Sequence, residues 1–347
     1  MKIWFPVVKG GSGTDVFTRR LAAAVERHGY QTEITWFDSR YEFLPSLLQN
    51  ATVPHGTTVI HANAWNGFAF KRQGIPLIVT EHQGVFGANY RPYRNRAQQT
   101  YHEQLIRRYV LASCKAASRV TTVSQFSAAG MAATLGVTDS RVIYNWVDTR
   151  VFAPASHMAA EIDLPFKLLF VGNFTHLKGS DMLTQIMVAL GERFQLSFTS
   201  GLKDLQVSSL PGNMVNLGRL SSDEELVRAY QNCDALLFPS RFEGFGYAAL
   251  EAMACGKPVI ATSTAAFPEV VKDGATGILC SMGDVSAFVE ACQYLQANPE
   301  VAKKYGLTGR RRAVLRFSEE IILPRYVELY DSLVGGDYPK AAYPDSG

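Results

Sequence analysis

Short β-branched runs alternate with amphipathic stretches along the whole chain, and this alternation restricts the fold more than any other feature. The strand candidates are KIWFPVV, QTEITWF, TTVIHA, IPLIVTEH, RVTTVS and RVIYN in the first half, and KLLFVGN, FQLSFTS, MVNLG, DALLFPS, PVIATS and TGILC in the second. Helix candidates separate them, as at residues 14–28, 98–117 and 124–135. Strands that alternate with helices predict parallel sheets covered on both faces, hence an α/β fold.

Two such sets in 347 residues predict two doubly wound domains. The polar stretch from Asp148 to Pro165 places the division between them, so that we expect one domain over residues 1–150 and a second over 151–335. Pro324 lies inside the last helical pattern and is expected to bend or break it. The polar tail, residues 336–347, is expected to be flexible.

Composition indicates a soluble, cytoplasmic protein. The residues are 47% hydrophobic and 19% charged, no apolar run approaches the ~20 residues that span a membrane, and the N-terminus lacks the features of a signal peptide. The five cysteines are odd in number and far apart, as expected of buried thiols and not of a disulfide framework or a zinc site.

A glycine-rich loop follows the first predicted strand. Because Gly10, Gly11 and Gly13 precede a helix, their backbone amides and the helix dipole could hold a phosphate. The dinucleotide fingerprint requires Gly or Ala three residues after its second glycine, but Val16 stands there. A tight turn that simply needs glycine is the alternative interpretation.

A corresponding loop in the second half is VGNFTHLKGSDML. Lys178 and Gly179 stand where its helix begins, and a lysine there could meet a diphosphate as a compact cation. A helix-start lysine is more often only solvated. The hypothesis of a diphosphate contact at Lys178 therefore rests on the glycine loop of the other half and not on the residue type alone.

Two carboxylates flank a glycine turn in PSRFEGFGYAALEAMACGKPV. Gly244 and Gly246 interrupt any helix across both, so we place Glu243 in a turn and Glu251 in the second turn of a helix that starts at Tyr247. A carboxylate in that apolar helix is costly unless it is paired or binds a ligand. A favourable charge near a helix N-terminus would alternatively explain Glu243.

The run PSRFEGFGYAALEAMACGKPVIATSTAAFPEVVKDGATGILC resembles the signature region of glycosyltransferase family 4. KGGSGTDV, VIHANAW, IPLIVTEH, VIYNWVDTRVF and VGNF…LKG extend the resemblance over most of the chain. It implies two Rossmann-like domains facing across a cleft, with the acceptor bound by the first and the donor by the second. It also implies that the C-terminal helix crosses back to the first domain.

Site residues follow from the resemblance. Glu251 is implied to bind the donor ribose, and the donor sugar is implied to contact Glu243 and the Gly244–Phe245–Gly246 turn. The glycine loop, Gly11–Ser12–Gly13, and Lys178 are implied to face the diphosphate, and His82 the reaction centre. Base contacts are expected around Gly218 to Leu220. His82, Lys178 and Glu243 are thus the catalytic candidates.

Three positions depart from the family pattern. Asn173 stands where the family often has an arginine that contacts the diphosphate. His176 or Arg219 could take the place of that arginine. Asn145-Trp146 replaces Asn-Gly, and Asn63 replaces the second histidine of His-x-His.

The resemblance implies a metal-independent, retaining transfer of a hexose-type sugar from a UDP-, GDP- or ADP-sugar to a hydroxyl acceptor, as in polysaccharide biosynthesis. The acceptor would be a glycan, a lipid-linked sugar or a small molecule. The chain has no Asp-x-Asp metal motif, and no cofactor is expected. In the family no protein nucleophile is well placed, so the enzyme acts mainly on the departing diphosphate.

Residues 1–150 hold 17 basic and 9 acidic side chains, a balance of +8, whereas the remainder carries −5. Residues 91–119 contain seven Arg or Lys and one acid, with tyrosines interleaved. This surface could face an anionic acceptor or the cytoplasmic side of a membrane, or be a solvated helix face. Its candidate residues are Arg91, Arg94, Arg96, Arg107 and Arg108. No nucleic-acid-binding motif accompanies them.

Two other functions remain open at this stage. A nucleotide-sugar epimerase on the same fold would need no separate acceptor. A non-catalytic sugar-nucleotide binding protein would have lost activity, which Asn173 would favour and the retained His82, Lys178 and glutamates oppose.

Overall fold

The computed structural model describes residues 1–11, 13–84, 86, 96–155, 165–201, 210–220 and 222–335. Within these ranges each half of the chain forms one six-stranded sheet, and every strand pairing is parallel. The prediction of two doubly wound α/β domains is confirmed.

The first sheet has the strand order β2-β1-β3-β4-β5-β6. Its strands are β1 (Lys2–Val8), β2 (Gln31–Phe37), β3 (Val59–Asn63), β4 (Leu77–Glu81), β5 (Arg119–Thr122) and β6 (Arg141–Val142). β1 and β4 are almost wholly buried, as apolar strands of a parallel sheet should be. The order reverses direction between β1 and β3, which opens a crevice at their carboxyl ends.

Helices α1 (Gly13–Arg27), α2 (Arg96–Tyr101), α3 (Arg107–Ala116) and α4 (Gln125–Leu135) cover this sheet. The helix predicted over 98–117 begins earlier and is not uniform, because a π-helical segment, His102–Ile106, joins α2 to α3. α4 begins at a Ser124 cap that accepts from the Ser127 amide and ends at Gly136, whose φ is 69°.

The second sheet has the order β12-β11-β10-β7-β8-β9. Its strands are β7 (Phe166–Phe170), β8 (Phe194–Phe198), β9 (Met214–Asn216), β10 (Ala235–Phe238), β11 (Val259–Thr262) and β12 (Gly277–Cys280). The helices of this half are α5 (Ser180–Leu190), α6 (Asp223–Gln231), α7 (Tyr247–Ala254), α8 (Phe267–Val270), α9 (Val285–Ala297), α10 (Pro299–Phe317) and α11 (Glu319–Val334).

The last helix, α11, packs on the first domain. Its buried Ile322, Leu323, Tyr326 and Tyr330 share a core with α1 and β1. The crossing-back of the C-terminal helix is therefore confirmed. The expected break at Pro324 does not occur, since α11 continues through it. Pro324 is only the sixth residue of the helix, so its missing amide removes one hydrogen bond near the start.

The domain division at 150 and 151 falls between β6 and β7 and stays a prediction, and residues 336–347 lie outside the described residues. No helix in the described ranges combines the length and apolar character needed to cross a membrane.

Candidate functional site

A cleft of about 460 Å³ lies between the two domains, at the carboxyl ends of strands from both sheets. The first domain lines it with the glycine loop, the start of α1, and His82 after β4. The second domain lines it with the loops after β7 and β8 and with the segment from Glu243 into α7.

Most of the predicted site residues meet in this cleft. Those that line it are Gly11, Gly13, His82, Asn173, Lys178, Leu220, Glu243, Gly244, Phe245, Gly246 and Glu251. Gly218 stands one residue from the lining Arg219 but is not among the described lining residues; its carbonyl accepts from the Ser200 amide. Ser12, Arg91 and Arg94 lie outside the described residues.

Glu251 is buried in the second turn of α7, where sequence reasoning placed it. Its Oε1 accepts from Arg20 Nη2 at 2.9 Å, and its Oε2 accepts from the Tyr230 hydroxyl at 3.1 Å. Burial raises the pKa of this carboxyl, against the opposing effect of Arg20. The carboxylate predicted to bind ribose is thus held by an arginine of the other domain.

Arg20 was not predicted, although it lies in α1 only seven residues after Gly13. Its guanidinium carbon is 5.4 Å from the ring centroid of Phe152 and 5.3 Å from that of Tyr247. These cation–π contacts hold the arginine across the domain boundary. The neighbouring Arg19 lines the cleft and is exposed. The Arg-Arg pair so soon after a glycine loop was the available signal.

Glu243 lies in the turn before α7 and pairs with Lys178 Nζ through its Oε1. The same oxygen accepts from Ser240 Oγ at 3.3 Å. The two side chains assigned to the donor sugar and the diphosphate therefore contact one another, and a ligand with hydroxyl and phosphate groups would meet both at once.

The glycine loop binds a carboxylate of its own helix. Asp15 accepts from the Gly10 amide at 3.3 Å and from the Gly11 amide at 2.8 Å. Gly11 adopts a φ of 61°, which favours glycine at this position. In this structure the Gly11 amide consequently points to Asp15.

His82 follows β4 at the cleft wall, with its ring 4.7 Å from that of Phe17. Burial lowers the pKa of His82 to about 3, so the imidazole is neutral near pH 7. Its carbonyl oxygen lies so near Gly244 that a Cβ added there would overlap it. Gly244 thus permits the two domains to approach.

Further polar contacts close the cleft at this point. The Gly244 carbonyl accepts from Ser124 Oγ at 2.6 Å and from Ser127 Oγ at 3.3 Å. The Glu269 carboxylate accepts from the Gln125 and Phe126 amides, both at 2.8 Å, and so caps α4 from the other domain.

Of the two proposed substitutes for the arginine absent at Asn173, Arg219 lines the cleft. His176 Nε2 instead lies 3.4 Å from Asp181 Oδ2. Arg96, Arg107 and Arg108 are exposed and are not among the described residues lining the cleft. In the described ranges no group of three or more His, Cys, Asp or Glu side chains is arranged to hold a metal ion.

The two halves of the chain match two family models. Residues 16–151 match "Glycosyltransferase Family 4" and residues 165–298 match "Glycosyl transferases group 1". The chain belongs to glycosyltransferase family 4. An uncharacterized glycosyltransferase of Methanocaldococcus jannaschii is 33% identical over 196 residues, which span 55% of this chain and 53% of that relative.

Solved structures share the fold of this family 4 chain. Sucrose-phosphate synthase from Thermosynechococcus elongatus superposes with a TM-score of 0.82 at 23% identity, covering 96% of this chain and 98% of that one. The Anabaena protein HepE in complex with UDP-glucose superposes with a TM-score of 0.76 at 18% identity, covering 96% of this chain and 100% of that one. The two-domain arrangement of glycosyltransferases is thereby confirmed for this chain.

Proposed function

We propose that this glycosyltransferase moves a hexose-type sugar from a nucleotide-diphosphate donor to a hydroxyl acceptor, with retention at the anomeric carbon and without a metal. The observation that carries the proposal is the convergence of Lys178, Glu243, Glu251 and the glycine loop on one cleft. The structural neighbour solved with UDP-glucose supports a nucleotide-sugar donor.

In this proposal the donor lies across the second domain. Glu251 accepts hydrogen bonds from the ribose hydroxyls and Glu243 from the sugar hydroxyls, because a carboxylate offers two acceptor oxygens. Neutral His82 binds the sugar from the opposite wall. Lys178, Arg219 and Arg19 offset the charge that develops on the departing diphosphate.

Retention without a protein nucleophile agrees with the state of the carboxylates. The described cleft-lining carboxylates are Asp15, Glu243 and Glu251, and each already accepts hydrogen bonds from protein groups. We therefore propose that the acceptor oxygen bonds to the anomeric carbon on the face that the diphosphate leaves. The bond from that carbon to the phosphate oxygen breaks, and the acceptor proton passes to this oxygen.

Removing Lys178 tests the proposal. A charge-assisted hydrogen bond is worth ~1.5–3 kcal/mol, so Lys178→Ala should lower turnover of the active donor by about tenfold or more. Lys303→Ala, an exposed lysine of α10, serves as the control and should leave turnover unchanged. Turnover is measured as nucleotide release from UDP-, GDP- and ADP-sugars, with and without EDTA.

Other outcomes separate the alternatives. Nucleotide binding without release from any donor would favour a binding protein, and a changed sugar still attached to its nucleotide would favour an epimerase. A loss smaller than tenfold in Lys178→Ala would contradict the diphosphate role. An inverted product anomer would contradict retention.

We also propose that the first domain contacts an anionic membrane surface. Arg107 and Arg108 are exposed on α3, and Leu44 and Leu47 are exposed by 57% and 65% on the adjoining segment. The Tyr109 hydroxyl donates to the Phe43 carbonyl at 3.1 Å, which joins the two parts into one basic and apolar face. Sedimentation with lipid vesicles tests this contact.

A further inference from the structure

A smaller pocket of about 170 Å³ adjoins the cleft inside the first domain. Thr14, Asp15, His82 and Gln83 line both spaces, so a group in the pocket lies beside the site proposed for the donor sugar. The remaining described lining residues are Val8, Gly10, Glu42, Asn63, Trp65, Asn66 and Glu81. We name this space the first-domain pocket.

The pocket lies where a doubly wound sheet offers a ligand site. Gly10 follows β1, Asn63 ends β3, and Glu81 ends β4. Because the strand order reverses between β1 and β3, the loops leaving these strands separate and open a crevice. The position follows from topology independently of the side chains.

Two buried oxygens in the pocket have no hydrogen-bond partner among the described residues. One is Glu81 Oε2, whose sister Oε1 accepts from the Gln83 and Gly84 amides, both at 3.0 Å. The other is Asn66 Oδ1. Glu81 is 1% exposed and Asn66 5%, and an unsatisfied buried oxygen of this kind costs ~1–3 kcal/mol. Asn66 Oδ1 can only accept, and Glu81 Oε2 accepts when its carboxyl is ionised and can donate when it is protonated. A hydroxyl group suits both atoms, because it can donate and accept.

The ionisable side chains that line the pocket are mainly acidic. Asp15, Glu42 and Glu81 are carboxylates, and no lysine or arginine is among the described residues that line it. Burial raises the pKa of Glu42 and of Glu81. Burial also holds the pKa of His82 at about 3, so this histidine supplies no positive charge near pH 7. A phosphate or carboxylate entering the pocket would find no lysine or arginine among the described lining residues to pair with, and any ionised carboxylate there would repel it.

We propose that the first-domain pocket binds the reacting part of the acceptor, and that this part is an uncharged, hydroxyl-rich group such as a sugar ring or polyol. Glu81 and Asn66 accept its hydroxyls, and Trp65 forms an apolar wall. The volume equals about five to six waters, which suits one such ring. The assignment rests on the proposed sugar transfer.

Paired probes test the proposal on the full chain. Binding of glucose and glucose 6-phosphate, and of myo-inositol and myo-inositol 1-phosphate, is measured by saturation-transfer NMR. In each pair the uncharged member should bind at least tenfold more tightly. Glu81→Gln should weaken that binding by about tenfold or more, since the amide replaces one carboxyl oxygen by a group that cannot accept. Glu26→Gln on the exposed face of α1 should not weaken it.

Nucleotide titration keeps this test distinct from the proposed function. UDP, GDP and ADP are titrated into the same samples, and the nucleotide that binds wild type should bind Glu81→Gln equally well, which also shows that the variant is folded. If none of the three nucleotides binds, the donor assignment is contradicted. The binding of the sugar and polyol probes can still be interpreted in that case. Equal or tighter binding of a phosphorylated probe, an unaffected Glu81→Gln, or no binding of any probe would overturn the pocket assignment.

Discussion

His61 shows how a polar side chain can serve the core. It is 3% exposed, and its two ring nitrogens contact the Tyr330 hydroxyl at 2.7 Å and Thr80 Oγ1 at 2.6 Å. Burial, with a smaller contribution from His82, lowers the pKa of His61 to about 3. The ring is therefore neutral in the folded protein wherever a solvated histidine would begin to protonate.

This shift makes folding stability depend on pH. The unfolded chain binds a proton at His61 below about pH 6.5 and the folded chain does not, so stability is present above that pH and is lost as pH falls toward 3. His61→Gln should reduce the slope of unfolding free energy against pH by up to about 1.4 kcal/mol per unit between pH 6 and 4, in urea titrations.

Tyr330→Phe is the matched control. It removes the hydroxyl at His61 but keeps the buried imidazole, so it should lower stability by about 1 kcal/mol at pH 8 while the slope persists. Equal slopes in wild type and His61→Gln would show that His61 does not titrate in this way.

Sequence reasoning predicted that the two glutamates, Lys178 and His82 belong to one site, because each stands in a recognisable local pattern, and all four line the cleft. It missed the partners of Glu251, since Arg20 and Tyr230 come from separate helices 231 and 21 residues away. Such contacts depend on how the domains pack, and a single sequence carries no direct signal of that.

The face formed by α3 and the segment around Leu47 presents exposed leucines next to arginines. The segment Pro45–Asn50 is a short 3-10 helix that starts with proline and leaves Leu47 exposed. Exposed leucines beside basic side chains are typical of surfaces that touch anionic lipid headgroups.

Vesicle sedimentation should show more protein pelleting with phosphatidylglycerol-containing vesicles than with phosphatidylcholine alone, and less at high salt. Leu47→Ser should reduce the bound fraction severalfold, because burial of a leucine side chain is worth ~1.5–3 kcal/mol. Val188→Ser, which alters a valine that is 67% exposed on α5 of the second domain, a helix without basic residues, should not. Equal pelleting with both vesicle types would contradict an electrostatic membrane contact.

Element boundaries were predictable where strong periodicity ends in a capping residue. The helix predicted over 124–135 is observed as α4 (Gln125–Leu135), which Gly136 caps, and α7 begins at Tyr247 as predicted. The π-helical segment His102–Ile106 was not foreseen, because a local change in hydrogen-bonding register leaves the apolar periodicity of a short helix almost unchanged.

At the scale of the whole molecule, α11 is one of the elements that join the two domains, because it follows the second domain in sequence and packs on the first domain in space. α11 follows α10 of the second domain, yet Arg27 of the first domain donates to Glu319 at 2.6 and 2.7 Å. The Tyr30 hydroxyl donates to Asp331 at 2.9 Å. Polar contacts at both ends thus fix a helix whose middle is buried.

Substitutions of two adjacent isoleucines on α11 test how much its packing on the first domain stabilises the protein. Ile322 is fully buried in the first-domain core, whereas Ile321 is 41% exposed. Ile322→Ala should cost about 2–5 kcal/mol of unfolding free energy, and Ile321→Ala less than about 0.5 kcal/mol. Chemical denaturation followed by far-UV circular dichroism measures both, and similar losses in the two variants would contradict the packing of α11.

At this scale the sequence was sufficient for the number of domains, their parallel sheets and the position of the cleft, because alternation and strand ends determine them. The closeness of the two domains was not predictable. It depends on contacts such as those of the Gly244 carbonyl with Ser124 and Ser127, which join residues more than a hundred positions apart.

The contacts of Gly244 and Glu269 with the first domain also influence how easily the two domains can separate. The Gly244 carbonyl, the Ser124 hydroxyl, the Glu269 carboxylate and the first amides of α4 are all groups that water can solvate once they separate. Hydrogen bonds of this kind contribute about 0.5–1.5 kcal/mol each, so parting them costs a few kcal/mol, to which the pairing of Arg20 with Glu251 across the domains adds. We expect a substrate that enters the cleft, and a product that leaves it, to depend on how often these contacts between the domains part.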